Sequence, residues 1–92
     1  MKTFPNNFHW GVSTSSYQIE GGVHQGGRGE SIWDRFSSLQ GRIADSSNGE
    51  IACNHYHCWE EDLCLISELG AGVYRFSTAW PRIQPRGSGK FN

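Results

Sequence analysis

Gln18 is the residue whose chemistry the sequence specifies best. It lies in residues 8–22, FHWGVSTSSYQIEGG, just after a run of small hydroxyl residues. Small side chains let this segment approach closely whatever it faces. The planar amide of glutamine carries two N–H donors and a carbonyl acceptor, which suits a ligand with adjacent hydroxyl groups. We therefore predict that Gln18 binds such a ligand.

Arg75 is the second candidate. In residues 73–78, VYRFST, strand alternation places Val73, Arg75 and Ser77 on one face. A guanidinium group in so apolar a strand needs an anion beside it, either a carboxylate of the protein or a ligand. The spacing alone leaves a structural salt bridge and a functional role equally open.

A metal site is the obvious alternative, because cysteines and histidines cluster between residues 53 and 64. On a helix, Cys53 and Cys64 would lie roughly 16 Å apart, given a rise of about 1.5 Å per residue. Zinc ligands lie about 2.0–2.3 Å from the metal, so one ion cannot bind both. A partial site from Cys53 and His57 stays open, but we expect no metal and no cofactor.

The elements that must position these side chains follow from periodicity and turn residues. Residues 8–14 and 73–78 are typical of short strands, and residues 31–36 of a short helix capped by Ser31. Residues 52–69 form the strongest helical pattern, with Asn54 as a possible cap and Gly70 as the left-handed residue that ends it. This order predicts one β-α-β unit with parallel strands.

Two strands and one long helix do not close a hydrophobic core. Both strands would leave hydrogen-bonding edges exposed. Either partner chains complete the sheet, or further chain is missing, and we favour the second explanation.

Composition narrows the class of protein. The 92 residues have a formal net charge of −1 and only two lysines, so we expect no nucleic-acid partner. No apolar run is long enough to span a membrane, and the first residues lack the apolar core of a signal peptide. The three cysteines are odd in number and crowded together. They favour reduced thiols and a cytoplasmic location.

Four segments, in this order, resemble glycoside hydrolase family 1, the β-glucosidase family. They are the opening segment 8–22, RGESIWDRF at 28–36, ACNHYH at 52–57 with ELG at 68–70, and YRFSTAWPRI at 74–83. Together they cover nearly the whole chain. The sequence departs from the family pattern on the helix, where Asn54 replaces the usual Asp and Cys58 and Trp59 replace polar or Tyr residues.

The resemblance implies a retaining β-glycosidase that removes terminal β-linked sugars on a (β/α)8 TIM barrel. Residues 1–92 would be the N-terminal fragment of a single barrel domain, namely the first βα unit plus the second strand. Gln18 matches the glutamine that binds hydroxyls of the terminal sugar, and Arg75 the arginine beside the nucleophilic carboxylate. Trp33 would lie in the wall of the site, while Glu20 matches a structural position.

Both catalytic glutamates are missing from the sequence. Retaining hydrolysis needs two carboxyl groups roughly 5–5.5 Å apart. In the family they come from Asn-Glu-Pro and Glu-Asn-Gly motifs, and no glutamate of this chain is followed by Pro or Asn. We therefore expect residues 1–92 to contact a β-glucoside or a related small saccharide without cleaving it.

Three other interpretations remain open at the sequence level. The chain could be a non-catalytic sugar-binding or regulatory module, for which Gln18 and the aromatic residues speak. It could be a small zinc-binding protein. Within the enzyme interpretation, it could be part of a 6-phospho-β-glycosidase.

Overall fold

The computed structural model of the chain describes residues 2–92. Within these residues, two short strands and four helices follow one another. In order they are β1 (Gly11–Ser13), α1 (Ser16–Ile19), α2 (Ile32–Ser38), α3 (His55–Glu68), β2 (Val73–Arg75) and α4 (Trp80–Ile83).

The two strands pair in parallel, as predicted. Gly11 lies opposite Val73 and Ser13 opposite Arg75. Each strand is shorter than predicted, since residues 8–14 and 73–78 shrink to three residues each. Within residues 2–92 each strand pairs with one other strand, so its opposite edge has no hydrogen-bonding strand beside it.

Helix α2 begins as its sequence predicts. The side chain of Ser31 accepts a hydrogen bond from the backbone N–H of Asp34, and the Asp34 carboxylate accepts one from the backbone N–H of Ser31. This reciprocal capping box satisfies two N–H groups that the helix itself leaves without partners. The first turn of α2 is therefore held in place by its own sequence.

Helix α3 ends as predicted but begins differently. Gly70 adopts φ +77°, the left-handed conformation expected after the helix. The helix starts at His55 rather than at residue 52. Asn54 precedes it with φ +54° and makes no side-chain capping bond, so the prediction that Asn54 caps the helix is wrong. An N-cap residue needs an extended backbone to aim its side chain at the first turn, and a left-handed one does not provide this.

The short helices α1 and α4 were not predicted. Each has four residues, too few to show a helical period in the sequence. Pro81 lies in the first turn of α4, where its missing N–H costs no hydrogen bond. None of the helices within residues 2–92 combines the length and the apolar composition needed to cross a bilayer.

The described residues enclose very little core. Val23 is their only buried hydrophobic residue, while sixteen large hydrophobic side chains are exposed. The accessible surface is 7524 Å², against about 5400 Å² expected for a compact monomer of this mass. The radius of gyration is 16.6 Å, against about 12 Å for a compact domain of this length.

We expect the isolated chain to unfold without a cooperative transition and to bind a hydrophobic dye strongly, because the exposed apolar area has nothing to pack against. Differential scanning calorimetry and ANS fluorescence measure the two properties. The same chain in concentrated guanidinium chloride is the control and should lose the dye signal. A sharp melting transition of a monomer with little dye binding would contradict this expectation.

Candidate functional site

An open cleft of about 560 Å³ brings Gln18 and Trp33 together. Gln18 lies on α1 and Trp33 on α2. Tyr17 also lines the cleft, and its ring stacks on that of Trp33 with the centroids 6.4 Å apart and the planes at 19°. The cleft therefore offers an aromatic wall beside an amide, an arrangement suited to a ligand with apolar faces and polar edges.

Hydrogen bonds of the Tyr17 hydroxyl fix one side of this cleft. The hydroxyl forms a bond of 2.7 Å with the Ser37 hydroxyl on α2 and accepts one of 2.9 Å from the backbone N–H of Gly49. Gly49 is buried, and a Cβ atom there would lie 2.7 Å from the Tyr17 ring. This close approach requires glycine, and it joins α1, α2 and the loop before α3 into one wall.

The amide of Gln18 is available to a ligand. Within residues 2–92 its side chain makes no hydrogen bond and is exposed, while its backbone N–H donates to the Ser15 carbonyl at 3.0 Å. An unpaired amide on a backbone held by hydrogen bonds keeps both donors and the acceptor for another molecule.

Arg75 lies at the C-terminal end of β2, on the exposed face of the strand. Its carbonyl accepts a hydrogen bond of 3.0 Å from the N–H of Thr14, which brings the ends of the two strands together. No carboxylate of residues 2–92 lies within ion-pair distance of its guanidinium, so of the two alternatives left open by the sequence, the internal salt bridge is absent from the described part of the chain. Arg75 is also not among the residues that line the cleft of Gln18 and Trp33.

Arg28 supports the end of α2 that carries Trp33. Its guanidinium donates to the Asp34 carboxylate at 2.7 Å, and their side chains are only 5% and 15% exposed. Partial burial by itself raises the pKa of Asp34. The hydrogen bonds from Ser31 and Arg28 outweigh this effect and hold the pKa below its usual value of 3.8.

The sequence did not reveal the role of Arg82. Its Nε donates to the Glu20 carboxylate at 2.6 Å, which gives Glu20 the structural partner that the family resemblance implies. Its Nη2 also donates to the carbonyls of Gly21 and Gly22, at 2.9 and 3.2 Å. The available signal was weak: Glu20 is the one carboxylate of segment 8–22, and segment 74–83 offers two arginines, Arg75 and Arg82, as partners.

The cysteine-rich segment does not assemble a metal site within residues 2–92. No group of three or more His, Cys, Asp or Glu side chains in the described chain has the arrangement to bind an ion. Cys53 and Cys64 are exposed free thiols. His55 instead pairs with Asp62 along α3, with Nδ1 and Oδ2 2.7 Å apart.

The sequence profile of Glycosyl hydrolase family 1 matches residues 1–92. The chain belongs to this family. β-Glucosidase A of Acetivibrio thermocellus is 56% identical over 90 residues, which are 98% of this chain and 20% of that enzyme. An aryl-phospho-β-D-glucosidase of Bacillus subtilis is 45% identical over 91 residues, or 99% of this chain and 19% of that enzyme.

A solved structure resembles the family 1 chain closely. The β-glucosidase of Thermotoga maritima in complex with galacto-hydroximolactam superposes with a TM-score of 0.93 at 49% sequence identity. The match covers all of this chain and 21% of that enzyme. The chain thus has the same fold as the matching segment of that β-glucosidase. It spans about a fifth of the length of the curated relatives it matches.

We expect Asp34→Asn to destabilise this family 1 segment, because Arg28 would lose its anion and the amide oxygen that remains is a weaker acceptor for the Ser31 N–H. The cost should be roughly 1–3 kcal/mol at neutral pH. A suitable background is a chimera in which this chain replaces the matching segment of the Acetivibrio enzyme, with thermal unfolding as the measurement.

The pH dependence gives this test its direction. A carboxyl group whose pKa is lower in the folded state than in the unfolded state stabilises the fold at pH values above its ordinary pKa. This stabilisation is lost as the pH falls through the folded-state pKa. The difference in stability between the unmodified chimera and its Asp34→Asn variant should therefore be full at pH values well above 3.8 and narrow below it. Glu61→Gln is the matched control, since Glu61 is exposed on α3 and its side chain makes no hydrogen bond or ion pair within residues 2–92. A difference that grows on acidification would contradict the expectation.

Proposed function

We propose that this chain is the N-terminal part of a retaining β-glucosidase-like enzyme and that it supplies part of the site for the terminal sugar. The observation that carries the proposal is the unpaired Gln18 amide beside Trp33 in an open cleft. Family membership and the β-glucosidase names of the relatives support the same reaction class.

The proposed architecture is a (β/α)8 barrel in a single domain, of which β1 and β2 are the first two strands. Their parallel pairing supports this, since barrels of this class consist of parallel strands with helical connections. The large exposed apolar surface and the small core also support it, because neighbouring strands and helices of a barrel would cover that surface.

The proposed roles of the residues follow from their positions. Gln18 binds hydroxyls of the terminal sugar, and Trp33 forms part of the wall beside it. Arg75 lies at the C-terminal end of its strand, where the active sites of such barrels are found. Its guanidinium would lie beside the nucleophilic carboxylate supplied by a later strand. The positive charge would lower the pKa of that carboxylate and keep it ionised for attack.

Residues 1–92 alone are proposed to be inactive. No glutamate of the chain occurs in the family's catalytic motifs, and the carboxylate of Glu20 is engaged by Arg82. Without an acid to protonate the leaving group and a nucleophile to form the glycosyl intermediate, the glycosidic bond stays intact.

The proposed substrates are β-linked glucosides or related small saccharides. The Thermotoga maritima structure with a galacto-hydroximolactam bound supports binding of sugar-like molecules in the whole enzyme. A 6-phospho-β-glycosidase is the second candidate, because the Bacillus subtilis relative that acts on phosphorylated glucosides is 45% identical over the same segment. The gene sequence beyond Asn92 tests both, through the phosphate-binding residues and the two glutamate motifs that it encodes or lacks.

We expect the isolated chain to release no nitrophenol from an aryl β-glucoside, because both catalytic carboxyl groups are missing. The chimera with the Acetivibrio thermocellus enzyme should hydrolyse it. Release is followed by absorbance against a blank without protein. Turnover by the isolated chain that survives repurification would contradict the proposal.

In the same chimera, we expect Gln18→Ala to lower kcat/KM by roughly tenfold to a hundredfold. The lost hydrogen bonds to the sugar account for about 1–3 kcal/mol. Gln40→Ala is the matched control, since Gln40 is exposed and lies outside the cleft. Equal activities of the two variants would refute the role of Gln18.

A further inference from the structure

The guanidinium of Arg82 connects α4 to the segment that directly follows Gln18. Nε binds the Glu20 carboxylate at 2.6 Å, and Nη2 binds the Gly21 and Gly22 carbonyls at 2.9 and 3.2 Å. Nη1 binds the Gln25 carbonyl at 3.1 Å. All four acceptors lie within residues 20–25, and the Arg82 side chain is only 16% exposed.

The segment that these bonds hold has little stiffness of its own. Helix α1 has only four residues, too few to be stable by itself. Gly21 and Gly22 follow it with φ +65° and +53°, and glycine gives the unbound backbone many other conformations. The direction in which α1 carries Gln18 therefore has to be set by contacts from elsewhere in the fold.

Tyr56 at the start of α3 completes the arrangement. The Arg82 guanidinium lies over its ring, 4.1 Å from the centroid. The backbone N–H of Tyr56 donates to the Glu20 carbonyl at 2.9 Å. Glu20 is thus held at its carboxylate by Arg82 and at its backbone by α3, two residues after Gln18.

We propose that Arg82 is a positioning residue for Gln18, which holds the end of α1 so that the Gln18 amide faces the sugar site. The inference rests on the proposed function and adds a residue outside the cleft to it. The planar guanidinium reaches four acceptors at once and stacks on an aromatic ring, which a lysine ammonium group cannot reproduce. Without Arg82 the same side chains line the cleft. The turn at residues 20–22 is then no longer held, and the position of the Gln18 side chain is no longer fixed.

A double-mutant cycle in the chimera tests this inference. We expect Arg82→Met to lower kcat/KM for an aryl β-glucoside by roughly tenfold to a hundredfold, as a misplaced positioning group does. In the Gln18→Ala background, Arg82→Met should change kcat/KM by less than about threefold, because the residue through which it acts is gone. Arg86→Met is the matched control, since Arg86 is exposed in the same segment. Its kcat/KM should match that of the unmodified chimera.

Hydrogen exchange separates failure of this inference from failure of the proposed function. The backbone N–H groups of Gln18 and Glu20 donate within α1, and we expect Arg82→Met to speed their exchange by at least about tenfold. If Gln18→Ala leaves activity unchanged, the proposed sugar-binding role fails, and faster exchange still supports the positioning role. Unchanged exchange, or equal effects of Arg82→Met in both backgrounds, overturns the inference.

A milder variant covers the case in which Arg82→Met prevents folding. Glu20→Gln keeps an oxygen acceptor for Nε but removes the negative charge. We expect severalfold lower kcat/KM, again only when Gln18 is present. An effect of the same size in the Gln18→Ala background overturns the inference.

Discussion

The ion pair between Arg82 and Glu20 is the contact on which the geometry of the candidate site depends. It joins the segment after β1 to the segment after β2, two regions 62 residues apart in sequence. The strands themselves supply only three residue pairs. At this end of the sheet Arg82 adds four hydrogen bonds to residues 20–25, three of them to backbone carbonyls. A guanidinium suits this task because its five N–H donors have a fixed planar geometry.

A second arginine, Arg28, holds the first turn of α2 in a similar way. Arg28 binds the Asp34 carboxylate and the carbonyls of Val23 and Gly29. It thereby joins the glycine-rich loop to the first turn of α2, which carries Trp33. Both sides of the cleft are thus held by largely buried cations from outside it, while the Gln18 amide within the cleft stays unpaired. This division suits a binding site, because rigid supports lower the entropy lost when a ligand is bound.

The sequence predicted those parts of the fold that depend on local rules. The cap at Ser31 and the left-handed Gly70 follow from neighbours in the chain, and the parallel strands follow from their apolar composition and wide separation. Helix α1 was missed because four residues show no helical period. The sequence did not predict the contacts of Arg82, because three of its partners are backbone carbonyls. Every residue has such a carbonyl, so residue types do not indicate which ones Arg82 binds. Gln18 and Trp33 were predicted as site residues, and the structure places both in one cleft. Arg75 pairs with no carboxylate of residues 2–92, so its role beside a catalytic carboxylate stays a prediction.

The sixteen exposed hydrophobic side chains have a consequence for biosynthesis. A ribosome adds about 5–20 residues per second, so a segment of this length spends seconds outside the exit tunnel before much of any following polypeptide appears. During that interval β1 and β2 present unpaired edges beside exposed tryptophans. Such surfaces are what chaperones bind and what aggregates form from.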